Sequence, residues 1–318
     1  MLTDINQWKV APQLHWSEAF ALWLKQTPTK KRTERSELTL SAYLSDVKLF
    51  GVWFEKLNGC PFEPSLMNAA DTTFYFDALR DAGIAATYNR KLASIQMLVS
   101  WARSEGLIDL DPCEWIPRMD AMRENPRDIP ESEWCLLEQV AESGGHLQEE
   151  SEFFRLRDLV LFRLMGNAGL RIHEAVQLRM SDLHLDKGYI HVLGKGKKHR
   201  NVKVKSGKLP DAIQAWLAIK PESLDGTLIT AENGHSIDRI TAWRRFTLIA
   251  ETANIQATPH ALRHTFIYRL IETLMKQGIH WAAALKTVCL QTGDTPDVIL
   301  EYYTGARESD IFAAMEAL

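Results

Sequence analysis

The sequence predicts a mainly α-helical protein with a small antiparallel β-sheet, divided into a helical N-terminal domain and an α+β C-terminal domain. Three observations carry this reading. Across residues 39–57 the apolar side chains Leu40, Tyr43, Leu44, Val47, Phe50 and Phe54 recur at helical spacing, the mark of an amphipathic helix of about five turns. Residues 189–193 and 201–204 are short, β-branched or aromatic segments flanking Gly194-Lys195-Gly196-Lys197-Lys198, which reads as a hairpin. Pro112, Pro117, Pro126 and Pro130 stand in a polar stretch with Arg118, Arg123, Glu124, Arg127 and Asp128, which reads as a linker. These features divide the chain into residues 1–117, a linker at 118–129, and residues 130–318.

In chain order, Trp16, Phe20, Trp23 and Leu24 form the first helical stripe. The basic run at 30–35 that follows is a solvated loop or an arm that touches phosphate. After the 39–57 helix, residues 74–79 form a third helix ending near Gly83. Residues 86–105 form a fourth, with Leu92, Ile95, Val99 and Ala102 inward and Asn89, Arg90, Lys91 and Arg103 elsewhere on its surface. Beyond the linker, helices are expected at 131–141 and 153–167, and Gly169 breaks the chain before a new helix that starts at Arg171. The hairpin comes next, then helices that include 237–251, with Arg239, Arg244 and Arg245, and finally 296–303.

Composition bounds the function. No apolar run among the 318 residues is long enough to span a bilayer, and Asp4, Gln7 and Lys9 deny the N-terminus a signal-peptide core. Cys60, Cys113, Cys135 and Cys289 lack CxxC spacing, so reduced thiols in a cytoplasmic protein are expected, with no metal site and no cofactor. A net charge of −4 argues against nucleic acid only if it is averaged over the chain, and the local distribution decides the field.

The residues that carry chemistry centre on Ala257-Thr258-Pro259-His260-Ala261-Leu262-Arg263-His264-Thr265-Phe266. Thr258 before Pro259 is an N-cap with proline at the first helical position. His260 and Arg263 then share one face of the first turn, at the positive end of the helix dipole, where an anion would sit. Taken alone, the stretch also reads as a capped surface helix with two polar residues. Likewise, the glycines around Lys195 allow close approach to a ligand, or make a solvated basic turn.

Taken together, GLRIHEAVQLRMSDL, GKGKKHRNVKV, HALRHTF and a tyrosine near the C-terminus resemble the ordered motifs of the tyrosine recombinase (phage integrase) family. TLSAYLSDVKLF and YNRKLASIQMLVSWARSEGLIDLDP are similar to that family's helical core-binding domain, so the likeness covers nearly the whole chain. The resemblance implies that Arg171 and Arg263 clamp a scissile phosphate, that Lys195 protonates the leaving 5′ oxygen, and that His260 assists proton transfer. The family's nucleophile lies nine residues after a His or Trp that follows a glycine. Here Gly293-Asp294 occupies those places, so Tyr303 is implied rather than Tyr302. Asp294 departs from the pattern, because a carboxylate there would repel phosphate unless protonated or turned aside. The segment between Arg263 and Gly293 is also about two helical turns longer than is common in the family, so either a helix is extended or a residue such as His280 or Trp281 replaces the missing donor.

DNA contacts are expected from Lys197, Lys198 and Arg200 on the hairpin, from Arg239, Arg244 and Arg245 on the 237–251 helix, and from Arg90 and Lys91. The partners implied are double-stranded DNA with specific recombination sites, further copies of the chain forming a tetramer on paired sites, and accessory DNA-binding proteins. Ile311, Phe312, Met315 and Leu318 form a last apolar stripe, which packs on its own domain or, as the resemblance favours, on a neighbouring subunit. Two other readings share these motifs: a DNA-binding architectural relative that has lost the chemistry, and a monomeric type IB topoisomerase.

Overall fold

The structure, a computed structural model, describes residues 15–28, 34–81, 85–119, 128–149, 151–194, 199–204 and 207–305; at 85–86 and 301–305 it describes the backbone alone. The chain forms two compact units, Met1–Arg123 and Glu124–Leu318.

The first unit contains α1 (Trp16–Gln26), α2 (Glu37–Asn58), α3 (Ala69–Asp81) and α4 (Ala85–Ser104). The Ser36 hydroxyl accepts the Thr39 N–H to start α2, and Gly59, at φ 68°, ends it. The apolar period read across 39–57 points inward: Leu40, Val47, Phe50 and Phe54 are buried with Leu92, Ile95 and Val99 of α4. Phe50 is fully buried and meets the Tyr75 ring edge-on at 5.0 Å, so truncating it to alanine is expected to cost about 3–5 kcal/mol. α3 starts five residues before the predicted 74. Residues 69–73 carry no apolar stripe to reveal it, but Asn68 Oδ1 accepts the Asp71 N–H at 2.9 Å and opens the helix there.

The second unit is built on α6 (Glu152–Gly166), in which every residue from Leu156 to Gly166 is buried. Around it lie α5 (Glu131–Ser143), α7 (Ile172–Gln177), α8 (Lys208–Ile219), α9 (Arg239–Thr252) and α10 (Pro259–Lys276). A three-stranded antiparallel sheet runs in the order β1 (Leu183–His184), β2 (Tyr189–Leu193), β3 (His199–Lys203), with Ile190 opposite Val202. The period of two buries Ile190, Val192 and Val202 and leaves His191, His199 and Asn201 on the other face. β3 begins two residues before the predicted 201, and the two-residue β1 is too short to show a period.

α11 (Trp281–Thr292) and α12 (Pro296–Gly305) complete the unit. Ile267 and Ile271 of α10, Val288 of α11 and Ile299 of α12 form a small apolar cluster that fixes these three helices together. That packing places the α11–α12 turn, with Asp294 in it, where it meets the N-terminal half of α10. Among the described residues, no helix is long and apolar enough to cross a membrane. Lys195, Lys197, Lys198 and the apolar stripe after residue 306 lie outside the described residues.

Candidate active site

Arg171 is the N-cap of α7, and its backbone N–H donates to Glu174 Oε2 at 2.8 Å. This bond sets the Glu174 carboxylate under the arginine side chain, whose Nη1 also donates to Oε1 at 3.2 Å. Glu174 is 2% exposed. Arg200 on β3 grips it with both arms of its fork, at 2.9 and 2.8 Å, and gives its Nε–H to the Gln291 carbonyl at 3.1 Å. Burial pushes the Glu174 carboxyl up, but the bonds and charge of Arg200, the Arg171 N–H and the Arg263 charge outweigh it and hold the pKa at about 2. Composition and helical periodicity alone do not mark Glu174. Its spacing of three from an N-cap residue was the signal available.

Arg263 is buried on the first turn of α10, which Thr258 caps through the Ala261 N–H. Its Nη1 donates to the Gly169 carbonyl. Gly169 has φ +70°, and a Cβ there would collide with the Phe266 ring, so only glycine presents that carbonyl in this place. Nη2 donates to Thr292 O at 2.7 Å and to Asp294 Oδ2 at 2.5 Å. Burial draws the Arg263 guanidinium below the usual arginine range, and the Asp294 carboxylate opposes the shift.

The second oxygen of Asp294, Oδ1, accepts from Arg171 Nη2. The carboxylate is thus neither turned aside nor unpaired: it spans the two arginines, and its side chain is 5% exposed. Gly293, at φ 72°, ends α11 and turns the chain to deliver it. His280 and Trp281 do not replace it. His280 caps the far end of α11, about 18 Å along a helix of 12 residues, and Trp281 packs against the small apolar cluster.

Two histidines flank the clamp on α10. The His260 and His264 rings meet edge-on at 4.2 Å. Desolvation and the Arg263 charge lower His260, with Asp294 opposing, although the residue as a whole is exposed. His264 is buried, and desolvation with the His260 and Arg263 charges takes it down to about 3. A third histidine, His173, half-buried beside Arg171, is lowered chiefly by desolvation. Tyr302 and Tyr303 fall on α12, two turns beyond its start.

Four cations expected on DNA are engaged within the fold. Arg200 serves Glu174 as described. Arg245 donates Nε–H to Asp158 at 2.7 Å, in a buried cluster with His146 and Arg157. Lys91 is 8% exposed and lies 3.6 Å from the buried Asp46, which Arg90 also pairs. Helical periodicity could not show these partners, because they lie 26 to 87 residues away along the chain. Arg239 and Arg244 remain exposed on α9.

The family model described as "Phage integrase family" matches residues 137–278, and that described as "Phage integrase, N-terminal SAM-like domain" matches 29–106. The chain belongs to the phage integrase family of tyrosine recombinases. It is 29% identical to tyrosine recombinase XerC of Neisseria meningitidis serogroup C over 252 residues, covering 76% of this chain and 79% of the relative. It is 28% identical to tyrosine recombinase XerD of Ralstonia nicotianae over 259 residues, covering 79% and 78%. Its fold matches that of XerH site-specific recombinase bound to a palindromic difH substrate, with TM-score 0.68, 15% identity and 94% of each chain covered. It also matches a lambda integrase dimer bound to a core site, with TM-score 0.67, 16% identity, and 92% and 95% covered. Within this tyrosine recombinase, both arginines come to one anion-sized seat, and Asp294 is the group that fills it.

Proposed function

We propose that this chain is a site-specific DNA recombinase that cuts and rejoins DNA strands through a 3′-phosphotyrosyl intermediate, and that it acts in the cytoplasm on double-stranded DNA as a tetramer on paired sites. The observation that carries this reading is the convergence of Arg171 and Arg263 on the two oxygens of a single anionic group, with the start of α12 two residues beyond it. A phosphodiester resists attack because it is charged, and its pentavalent transition state carries more charge still. Preorganised, desolvated guanidinium groups therefore supply the largest catalytic term. Glu174 and the carbonyls of Gly169 and Thr292 hold these forks in place before any substrate arrives.

In the proposed reaction the Tyr303 oxygen attacks phosphorus, forming the phosphotyrosyl bond as the bond to the 5′ oxygen breaks. Tyrosine ordinarily titrates near ~10, so the positive clamp must favour its anion, and His260 assists removal of the proton. Lys195 gives a proton to the departing 5′ oxygen. The reverse sequence on a partner strand rejoins the DNA. The new ester conserves the bond energy, so neither ATP nor a cofactor enters the chemistry. Arg239, Arg244, Lys197 and Lys198 contact the DNA backbone, with α9 offering a face to the major groove.

Asp294 in the seat also suits an architectural relative that binds DNA without cutting it. A duplex pool carrying candidate sites, nicked so that religation is lost, separates the two. The recombinase accumulates a protein–DNA species that survives denaturation, and the architectural relative yields none.

A further inference from the structure

We propose that the Asp294 carboxylate is a built-in surrogate for the scissile phosphate: it holds the seat between Arg171 and Arg263 in the DNA-free chain, and substrate must expel it, shifting the start of α12 as it does so. The proposal rests on reading the two arginines as a phosphate clamp. Each carboxylate oxygen is taken by a different guanidinium, Oδ1 by Arg171 Nη2 and Oδ2 by Arg263 Nη2. A phosphodiester offers the same features, one negative charge shared by two oxygens that accept from two forks. Carboxylate and phosphate therefore compete for the same donors.

The shared donors favour an exchange over joint occupancy, because each Asp294 oxygen already takes the guanidinium nitrogen that a phosphate oxygen would need. Three guanidinium groups, Arg171, Arg200 and Arg263, face two carboxylates, Glu174 and Asp294. Glu174 is fully enclosed and bonded to Arg171 and Arg200, so it is fixed. Swapping Asp294 for a diester leaves the net charge of the cluster unchanged, whereas deleting the anion leaves the two guanidinium groups of the seat without their shared partner. A phosphate that joined Asp294 in the seat would set two anions side by side with little water between them.

The position of Asp294 in the chain ties this exchange to the nucleophile helix. Residues 293–295 are a non-helical link between α11 and α12, and Pro296 is the first residue of α12. Gly293 supplies a backbone position free of side-chain restriction, and the Asp294 N–H holds Thr292 Oγ1 only at 3.3 Å. Expelling the carboxylate must move this link, and with it the first turn of the helix that carries Tyr303. Cleavage is thereby held back until a phosphate occupies the clamp.

The test uses the full-length chain and inorganic phosphate, titrated calorimetrically at constant ionic strength. An occupied seat lowers apparent affinity by the fraction of chains in which it is open, so Asp294→Asn is expected to bind phosphate at least about tenfold more tightly than the unmodified chain. Adding Arg263→Ala to that variant should abolish the gain. Hydrogen exchange on the unmodified chain needs no variant: saturating phosphate should speed exchange of the amides at 295–300. Equal or weaker phosphate binding by Asp294→Asn, or unchanged or slowed exchange at 295–300, overturns the proposal. Covalent capture on nicked duplex is scored separately. Phosphate competition without any adduct contradicts the recombinase reading alone, and adduct formation with unchanged phosphate affinity contradicts the surrogate alone.

Discussion

Arg263 bears two duties that a lysine cannot combine. Its fork ties the carbonyls of Gly169 and Thr292 and still presents Nη2 to the anion seat. Arg263→Lys keeps the charge but loses the planar geometry, so strand cleavage should fall by about two orders of magnitude with little change in DNA affinity, as read by single-turnover cleavage and a binding titration. Equal losses in both would make Arg263 a DNA anchor instead. Glu174 and His264 give the same site a pH signature. The folded pKa of His264 is depressed to about 3, so burying it neutral contributes stability above its unfolded value of 6.5, and that contribution is lost as pH falls toward 3. The carboxyl of Glu174 is depressed from 4.5 to about 2, so its contribution, of order 3 kcal/mol, is present above 4.5 and is lost only as pH falls through about 2. Melting temperature measured between pH 7 and pH 3 should therefore begin to decline near 6.5 through His264. Glu174→Gln should lower the midpoint by about 6–12 °C at pH 7 and flatten the steeper loss below 4.5. An unaltered acid limb in Glu174→Gln would mean the guanidinium cluster does not depend on that charge.

At the scale of elements, α9 carries neighbouring arginines with different duties. Arg244 is exposed, whereas Arg245 is spent on the buried Asp158. Arg244→Ala should weaken DNA binding and reduce the dependence of log affinity on log salt by about one. Arg245→Ala should leave that slope unchanged and instead cost about 1–3 kcal/mol of stability. A salt titration of both variants beside their melting curves checks the pair, and a reduced slope for Arg245→Ala would restore it to the DNA surface. The hairpin is anchored in a way its own sequence does not reveal. The Gln291 side chain pairs with both backbone groups of Lys203, at 3.0 Å each, as an added strand would. It thereby links β3 to the end of α11 that delivers Asp294. The helices themselves were legible because apolar side chains repeat every three to four residues, and the Arg171 and Thr258 caps because they are local. The partners of Arg200, Arg245 and Lys91 were not legible, since a charge count records a cation without the carboxylate that tertiary folding brings to it. The family resemblance marks Asp294 as the departing residue, but only the meeting of α7, α10 and the α11–α12 turn shows it paired.

For the whole molecule, a net charge of −4 coexists with DNA recombination because the acidic groups are not spread evenly. Glu174, Asp158, Asp46 and Asp294 are enclosed and each already holds a cation, so they count in the total while contributing little repulsion at the surface. A truncation separates the two places where the apolar residues Ile311, Phe312, Met315 and Leu318 could pack, their own domain or a neighbouring subunit. Truncation after Arg307 should leave single-site binding and monomer melting nearly unchanged while abolishing the two-site complex in a native gel. A truncated chain that melts several degrees lower as a monomer would assign those residues to its own domain. The chemistry itself is decided by the identity of the atom joined to DNA. The chain, trapped on a nicked duplex pool and digested with protease and nuclease, should yield a peptide carrying a 3′-phosphonucleotide on Tyr303, and Tyr302→Phe should yield the same product. A modified Tyr302, or a complete absence of covalent adduct on every duplex that the chain binds, contradicts the assignment of α12 as the nucleophile helix with Tyr303 as its reactive residue.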